Sequence, residues 1–216
     1  VIGDSHGNAI HIGERDCSLQ RRHQKVIEES PAILLDDDTR KHLHDVAVKA
    51  TKYLEYEGAG TFEFLADDKQ NIYFMEMNTR LQVEHPVSEM VSGLDIVEWM
   101  IKVAEGDELP DQDKIKFRGH AIEVRITAED PNSFLPCPGH VKQWMVPGGR
   151  NVRVDSHVYA GYDVPPYYDS MIGKLIVWGR DREKAINIMK RALGEFEVEG
   201  IRTTIPFHQK MMENPD

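Results

Sequence analysis

Two glutamates at matching positions of a predicted β-hairpin could bind a metal ion. Residues 61–66 and 71–77 are rich in apolar and aromatic side chains, and a polar turn separates them. Pairing the two strands around that turn places Glu63 directly across from Glu76. Because alternate side chains of a strand share a face, Asn78 lies on the same face as these two glutamates.

This register depends on a turn centred on Lys69-Gln70, which also places Leu65 across from Phe74. Like charges directly opposite each other destabilise a sheet. A hard divalent cation would remove that repulsion, since Mg²⁺ takes one or two carboxylates together with phosphate oxygens. The residues alone leave two alternatives open: a solvated face that carries both glutamates, or a one-residue slip that separates them.

Hydrophobic periodicity and capping residues predict the elements that position this hairpin. The predicted helices cover about residues 39–57, 89–105, 181–197 and 207–213. Further strands are predicted at residues 7–15, 118–127, 152–158 and 170–178. Gly58 is expected to end the first helix, and Asp181 to cap the third. A composition shift near residues 107–116 is the best candidate boundary between two lobes.

Composition excludes several classes of protein. The chain has 216 residues and a formal net charge of −11, from 26 Lys and Arg against 37 Asp and Glu, which argues against a nucleic-acid partner. No apolar run approaches the roughly 20 residues that a membrane helix requires, so no membrane partner is predicted. Two cysteines are too few for a disulfide framework and favour a reducing compartment, so a cytoplasmic location is predicted.

A family resemblance follows from the residues after the hairpin. Residues 75–86 read Met-Glu-Met-Asn-Thr-Arg-Leu-Gln-Val-Glu-His-Pro. This string resembles the signature of biotin carboxylases within the ATP-grasp superfamily. Five more strings extend the resemblance over almost the whole chain, at residues 13–18, 20–25, 58–64, 118–125 and 165–175.

The resemblance implies an α+β fold of antiparallel sheets with packed helices. Residues 1–110 would form the C-terminal part of an ATP-grasp domain, and residues 111–216 an incomplete biotin carboxylase C-terminal domain. The implied reaction is the ATP-dependent carboxylation of biotin, carried on a protein, with bicarbonate as the carbon source and carboxyphosphate as the intermediate.

The resemblance also assigns individual roles. Glu63 and Glu76 would ligate the Mg²⁺ or Mn²⁺ ions that bridge ATP phosphates, with Asn78 assisting. Glu84 matches the general base that deprotonates bicarbonate, and the alternative is a glutamate that only favours the start of the next helix. The groups that would hold bicarbonate are Arg80, Gln82, the backbone of Val83 and Lys25.

Further assigned positions lie in the basic cluster and in a later strand. Gln20 and His23 match positions near the ATP phosphates and ribose, although the cluster of residues 15–25 alone would indicate a solvated face or a polyanion patch. Arg125 matches an arginine that stabilises the biotin enolate and phosphate. Without the resemblance, Arg125 and Glu123 would indicate an exposed strand face with a weak ion pair.

The implied partners are a biotin carrier protein or domain, a carboxyltransferase, and a second copy of the chain near Arg153. Arg150 departs from the aromatic residue often found there. The host could be an acetyl-CoA carboxylase of fatty acid biosynthesis, or a pyruvate or propionyl-CoA carboxylase. The chain lacks the family's N-terminal domain and most of its glycine-rich lid, so the isolated piece is predicted to be inactive.

Two other functions stay open at this point. One is another ATP-grasp carboxylate–amine ligase, which would share the metal carboxylates but not the Gln-Val-Glu-His continuation. The other is a non-catalytic module that retains the fold. A degenerate copy should have lost some of the assigned residues, and this chain keeps them.

Overall fold

Short strands and five α-helices make up residues 1–214, which the computed structural model describes. The strands are β1 (Ile2–Gly3), β2 (Ala9–Ile10), β3 (Gln20–Arg21), β4 (Gln24–Lys25), β5 (Ile27–Ser30), β6 (Gly58–Ala59), β7 (Thr61–Ala66), β8 (Ile72–Asn78), β9 (His120–Thr127), β10 (Gly139–His140), β11 (Gln143–Met145), β12 (Val152–Ser156), β13 (Asp163–Val164), β14 (Met171–Gly179) and β15 (Glu197–Glu199). The helices are α1 (Asp37–Tyr53), α2 (His85–Ser92), α3 (Ile96–Ala104), α4 (Arg182–Glu195) and α5 (Ile205–Glu213). Together they confirm the predicted α+β class. None of the helices in this described part is long and apolar enough to cross a membrane.

The chain divides into two units. The first unit comprises Val1–Asp16 and Glu29–Arg118, and the second comprises Cys17–Glu28 and the chain from Gly119 onward. No composition shift predicted that Cys17–Glu28 would pack with the second unit. The basic cluster of residues 15–25 is therefore split, because Arg15 lies in the first unit and Lys25 in the second.

The first unit contains the antiparallel sheet β2–β1–β6, the hairpin β7–β8 and helices α1 to α3. Its core is a cluster of buried aliphatic side chains: Ile2, Ile10, Ile12, Ala59, Ile96, Val103, Leu109 and Ile115. The strand predicted at residues 7–15 is much shorter in the structure, since only Ala9 and Ile10 pair with β1.

The hairpin confirms the pairing of Glu63 with Glu76 and corrects the register near the turn. Phe64 lies across from Phe74, and Leu65 from Tyr73, so the predicted pairing of Leu65 with Phe74 is wrong. The register shifts between Glu63 and Phe64, because β8 carries one extra residue, Met75, in a β-bulge. The bulge restores the predicted pairing at the end of the hairpin that carries the two glutamates.

Helix α1 begins two residues before the predicted start and ends four residues before the predicted end. Asp36 caps it by accepting a hydrogen bond of 2.7 Å from the backbone N–H of Thr39. Glu55 adopts a positive φ of 50°, which ends the helix before Gly58 is reached. Gly58 instead lies in β6.

The single helix predicted at residues 89–105 is two helices. Gly93 follows α2 in the left-handed region, with φ 75°, and a new cap at Asp95 starts α3. The Asp95 carboxylate accepts a hydrogen bond of 2.8 Å from the backbone N–H of Glu98. The hydrophobic pattern runs through the break, which is why periodicity alone joined the two helices.

The second unit is built on a four-stranded sheet in the order β12–β14–β9–β5. Helix α4 packs against β14 and β9, and α5 packs against α4. Asp181 caps α4 through a hydrogen bond of 2.8 Å from the backbone N–H of Lys184, as predicted. The core between sheet and helices contains Ile122, Val124, Ile126, Leu175, Val177, Ala185, Met189 and Leu193.

Candidate functional site

The carboxylates of Glu63 and Glu76 are joined through the side chain of Asn78. The Asn78 amide nitrogen lies 3.2 Å from Glu63 Oε1 and 3.0 Å from Glu76 Oε1, so it donates to both carboxylates. Glu76 is exposed and Glu63 is half-buried. The two glutamates and Asn78 therefore share one strand face, and the one-residue slip considered from the sequence is wrong.

Gln82 extends this group toward the interior of the first unit. Its side-chain nitrogen donates to Glu63 Oε1 at 2.9 Å, and its oxygen accepts from Arg15 Nη2 at 2.8 Å. Arg15 also donates to Ser88 Oγ and Thr61 Oγ1, at 3.1 and 3.0 Å. Sequence reasoning missed Arg15, because these partners lie 46 to 73 residues away along the chain.

Arg80 lies at the exposed edge of the same group. Its Nη2 is 3.4 Å from Asn78 Oδ1, and its Nη1 is 3.3 Å from the carbonyl of Leu81. The guanidinium is exposed, so it can meet an anion from solvent. Arginine suits a planar oxyanion because its donors form a fixed fork.

Glu84 is buried at the start of α2. It occupies the N-cap position, but its side chain makes no capping hydrogen bond, and the residue is only 2% exposed. The backbone turns at Val83 and Glu84, since the N–H of His85 donates to the carbonyl of Gln82 at 3.3 Å. The loop before α2 is therefore not extended, so strand-like alternation does not place Arg80, Gln82 and Glu84 on one side.

The donor set at the hairpin fits a hard divalent cation. The two carboxylates are oxygen ligands of the kind that Mg²⁺ prefers. The Asn78 amide nitrogen faces both of them, and the Asn78 oxygen faces Arg80 Nη2 at 3.4 Å. Within residues 1–214, no group of three or more His, Cys, Asp or Glu side chains could hold a metal ion. An ion at Glu63 and Glu76 would thus take further ligands from water or phosphate oxygens, as Mg²⁺ commonly does.

In the second unit, Arg125 is paired with a buried carboxylate. Its Nε and Nη2 lie 2.6 and 2.5 Å from Glu28 Oε1. The Glu28 side chain is fully buried, and that of Arg125 is 19% exposed. Glu123, two residues before Arg125 on β9, is also fully buried. The alternative of an exposed Glu-Arg strand face is therefore wrong.

Helix α5 holds the backbone of the same arginine. The carbonyl of Arg125 accepts hydrogen bonds from His208 Nε2 at 2.7 Å and from Thr204 Oγ1 at 3.2 Å. The backbone N–H of Thr204 also donates to the carbonyl of Thr127 at 3.1 Å, and Thr204 Oγ1 accepts from the backbone N–H of Thr127 at 3.0 Å. Both the backbone and the guanidinium of Arg125 are thereby fixed.

The remaining assigned residues lie on the hairpin β3–β4 of the second unit. Gln20 pairs with Lys25, and the turn between the strands is formed by Arg22 and His23, whose φ angles are 50° and 64°. Gln20 and His23 are exposed, whereas Lys25 is half-buried. The Gln20 amide donates to the carbonyl of Cys17 at 2.9 Å.

Arg153, assigned to a dimer contact by the resemblance, is engaged within its own strand. Its Nε and Nη2 each lie 2.8 Å from a carboxylate oxygen of Asp155, which forms a forked pair. Arg150 is exposed.

Burial lowers the pKa of His208 to about 4, although its hydrogen bond to the Arg125 carbonyl acts in the opposite direction. Between pH 6.5 and pH 4, His208 is protonated in the unfolded chain and neutral in the folded chain. The free energy of unfolding therefore decreases as the pH falls through this range. We expect this group to reduce the free energy of unfolding by about 2 kcal/mol between pH 7 and pH 5. Urea unfolding at pH 7 and pH 5 would measure this change in the free energy of unfolding. The change should be smaller in His208→Gln than in the unmodified protein, and it should be unaltered in the exposed control His42→Gln.

Comparison with known families agrees with this geometry. Residues 1–112 match the family model of the carbamoyl-phosphate synthase L chain, ATP binding domain. Residues 123–216 match the biotin carboxylase C-terminal domain. The chain belongs to the biotin carboxylase family, as the sequence resemblance predicted.

Relatives of known name cover the whole chain. It is 57% identical over 217 residues to a biotin carboxylase of Nostoc sp., an alignment that covers 100% of this chain and 48% of the relative. It is 67% identical to the crystal structure of a biotin carboxylase–β,γ-ATP complex from Campylobacter jejuni, with a TM-score of 0.99 and coverage of 100% and 48%.

A third relative is the biotin carboxylase domain dimer of Hydrogenobacter thermophilus 2-oxoglutarate carboxylase, solved with MgADP, ADP and bicarbonate. It is 49% identical with a TM-score of 0.97, and the match covers 100% of this chain and 48% of that one. The chain thus spans about half the length of the curated relatives that it matches.

Proposed function

We propose that the protein containing this chain carboxylates biotin in an ATP-dependent reaction that uses bicarbonate. The observation that carries the proposal is the hydrogen-bonded group of Glu63, Asn78, Glu76 and Gln82, which presents paired carboxylates on one strand face. The relatives named biotin carboxylase support the same reaction. We further propose that residues 1–110 and 111–216 correspond to two domains of that larger enzyme.

Glu63 and Glu76 would hold Mg²⁺ or Mn²⁺ in this enzyme, and Asn78 would assist by holding the two carboxylates together. A cation bound there would neutralise negative charge on the transferred phosphoryl group. The protein's own contribution is orientation: the Asn78 amide keeps the two carboxylates together at 3.2 and 3.0 Å. Gln20 and His23, exposed on the β3–β4 hairpin, would contact the nucleotide phosphates and ribose.

Bicarbonate would be held by Arg80, Gln82, Lys25 and the backbone N–H of Val83. Glu84 would accept its proton, so that the resulting oxyanion attacks the terminal phosphoryl group of ATP to form carboxyphosphate. This intermediate breaks down to CO₂ and phosphate; the CO₂ then carboxylates the ureido nitrogen of biotin, whose N–H proton passes to the released phosphate. Arg125 would stabilise the enolate of biotin and the phosphate.

The biotin substrate would be borne on a carrier protein or domain, and a carboxyltransferase would use the product. Names of relatives include pyruvate carboxylase and 2-oxoglutarate carboxylase, so the final acceptor is set outside this chain. We also propose a cytoplasmic location, a homodimer contact near Arg153, and no carboxylase activity for these 216 residues in isolation.

Replacing Glu76 with Gln tests the carboxylate pair. We expect the Mg²⁺ concentration for half-maximal ATP cleavage by the full-length protein to rise about tenfold or more, because a neutral amide is a poorer ligand than a carboxylate. The matched control is Glu57→Gln, an exposed glutamate of the same unit outside the hairpin. An unchanged Mg²⁺ requirement in Glu76→Gln would exclude this residue as a metal ligand.

A further inference from the structure

The Arg15 guanidinium donates to three side chains, one of which, Gln82, contacts the carboxylate of Glu63. Nη1 donates to Ser88 Oγ, and Nη2 donates to both Thr61 Oγ1 and Gln82 Oε1. These acceptors belong to the start of α2, the start of β7 and the loop that joins the hairpin to α2. Arg15 is thus engaged with protein acceptors, which does not fit a solvated face or a polyanion patch at this position.

We propose that Arg15 is a positioning residue, which fixes the Gln82 amide and through it the carboxylate of Glu63. The inference deepens the proposed function, since it rests on Glu63 being a metal ligand. Arg15 itself would touch neither the metal nor the nucleotide.

The orientation of the Gln82 amide follows from the chemistry of its two neighbours. A guanidinium has only donors, so the Gln82 atom 2.8 Å from Arg15 Nη2 must be the oxygen. The amide nitrogen then faces Glu63 Oε1 at 2.9 Å and donates to it. The opposite orientation would place an amide oxygen against a carboxylate oxygen and an amide N–H against a cation.

Burial makes this orientation consequential. Gln82 is 7% exposed and Ser88 is 1% exposed, so water has little access to replace a lost partner. Glu63 Oε1 accepts from Gln82 at 2.9 Å and from Asn78 at 3.2 Å. Two donors on one oxygen fix the plane of the carboxylate. Hydrogen bonds from residues around a metal ligand orient that ligand in the same way in other metal sites.

The test measures metal binding without turnover. In the full-length protein, Mn²⁺ would be titrated with ADP present, and bound Mn²⁺ followed by electron paramagnetic resonance. Arg15→Met should weaken Mn²⁺ binding about tenfold, the scale of outer-layer effects on metal affinity. Arg15→Lys, which can still donate to Gln82, should recover part of that loss.

Arg40→Met is the matched control, because Arg40 lies in the same unit and binds the buried carboxylate of Glu14 at 2.7 Å. This variant should lower the melting temperature and leave the Mn²⁺ affinity of the folded protein unchanged. A merely structural role for Arg15 would give the same pattern in Arg15→Met, and that result would overturn the proposal.

A double variant tests the route through Gln82. Gln82→Met should weaken Mn²⁺ binding, and adding Arg15→Met to it should cause no further loss. Independent, multiplicative losses would overturn the proposed route. Glu63→Gln distinguishes the metal assignment of Glu63 from the positioning role of Arg15. If Glu63→Gln weakens Mn²⁺ binding and Arg15→Met does not, only the positioning role fails. If Glu63→Gln leaves Mn²⁺ binding unchanged, the metal assignment fails and the inference with it.

Discussion

Glu84→Gln in the full-length protein should lower the rate of biotin carboxylation by about a hundredfold or more, the scale of general base catalysis. Glutamine keeps the shape of the side chain but cannot accept the proton of bicarbonate. Because the Glu84 side chain makes no capping hydrogen bond, an isosteric glutamine should leave the start of α2 in place. Biotin-dependent phosphate release and bicarbonate incorporation would measure the rate, and calorimetry would show little change in ATP binding.

Glu89→Gln is the matched control for this experiment. Glu89 lies on the same helix, its side chain is 9% exposed, and its Oε1 accepts the backbone N–H of Ile96 at 2.8 Å. We expect this variant to lose some stability and to keep its carboxylation rate. If Glu84→Gln carboxylates biotin as fast as Glu89→Gln does, Glu84 is not the general base and only precedes the helix.

The hairpin shows how far a sequence pattern can reach. The period of two along a strand correctly placed Glu63 across from Glu76, on the same face as Asn78. The register near the turn was not predictable from that period, because it depends on how the turn folds. The Asp67 carboxylate accepts hydrogen bonds from the backbone N–H groups of Lys69 and Asn71, both at 2.9 Å, and these bonds fix the conformation of the turn.

The bulge in this hairpin has a direct consequence for the site. Without it, the register near the turn would continue along the strands and place Glu76 across from Phe62. Glu76 would then point to the opposite face from Glu63, since alternate residues face opposite sides. The carboxylate pair therefore depends on one inserted residue that no composition or periodicity argument identifies.

Contacts between residues distant in sequence explain what else was missed. Arg15 meets Gln82 across 67 positions, and Arg125 meets Glu28 across 97. Local patterns report helix caps and apolar faces, and they correctly gave Asp181 as the N-cap of α4. They carry no information about which charge lies beside which after the chain has folded.

Glu28→Gln should produce the largest loss of stability in the second unit. Glu28 is fully buried and accepts two N–H groups of Arg125, so its removal leaves a mostly buried cation without this carboxylate. Breaking a buried ion pair from one side costs about 3–5 kcal/mol of the free energy of unfolding. The same variant should raise the apparent KM for free biotin, because Arg125 loses its orientation, and should leave the Mg²⁺ requirement unchanged.

A double-variant cycle measured by urea unfolding separates pairing from packing. If the two side chains stabilise the fold as a pair, Glu28→Gln combined with Arg125→Met should cost less than the sum of the single changes. The control is Lys190→Gln, which breaks the exposed ion pair with Glu213 at 3.2 Å and should cost less than about 1 kcal/mol. If Glu28→Gln costs no more than that, the buried carboxylate does not hold Arg125, and the arginine must be positioned by Thr204 and His208 through its backbone alone.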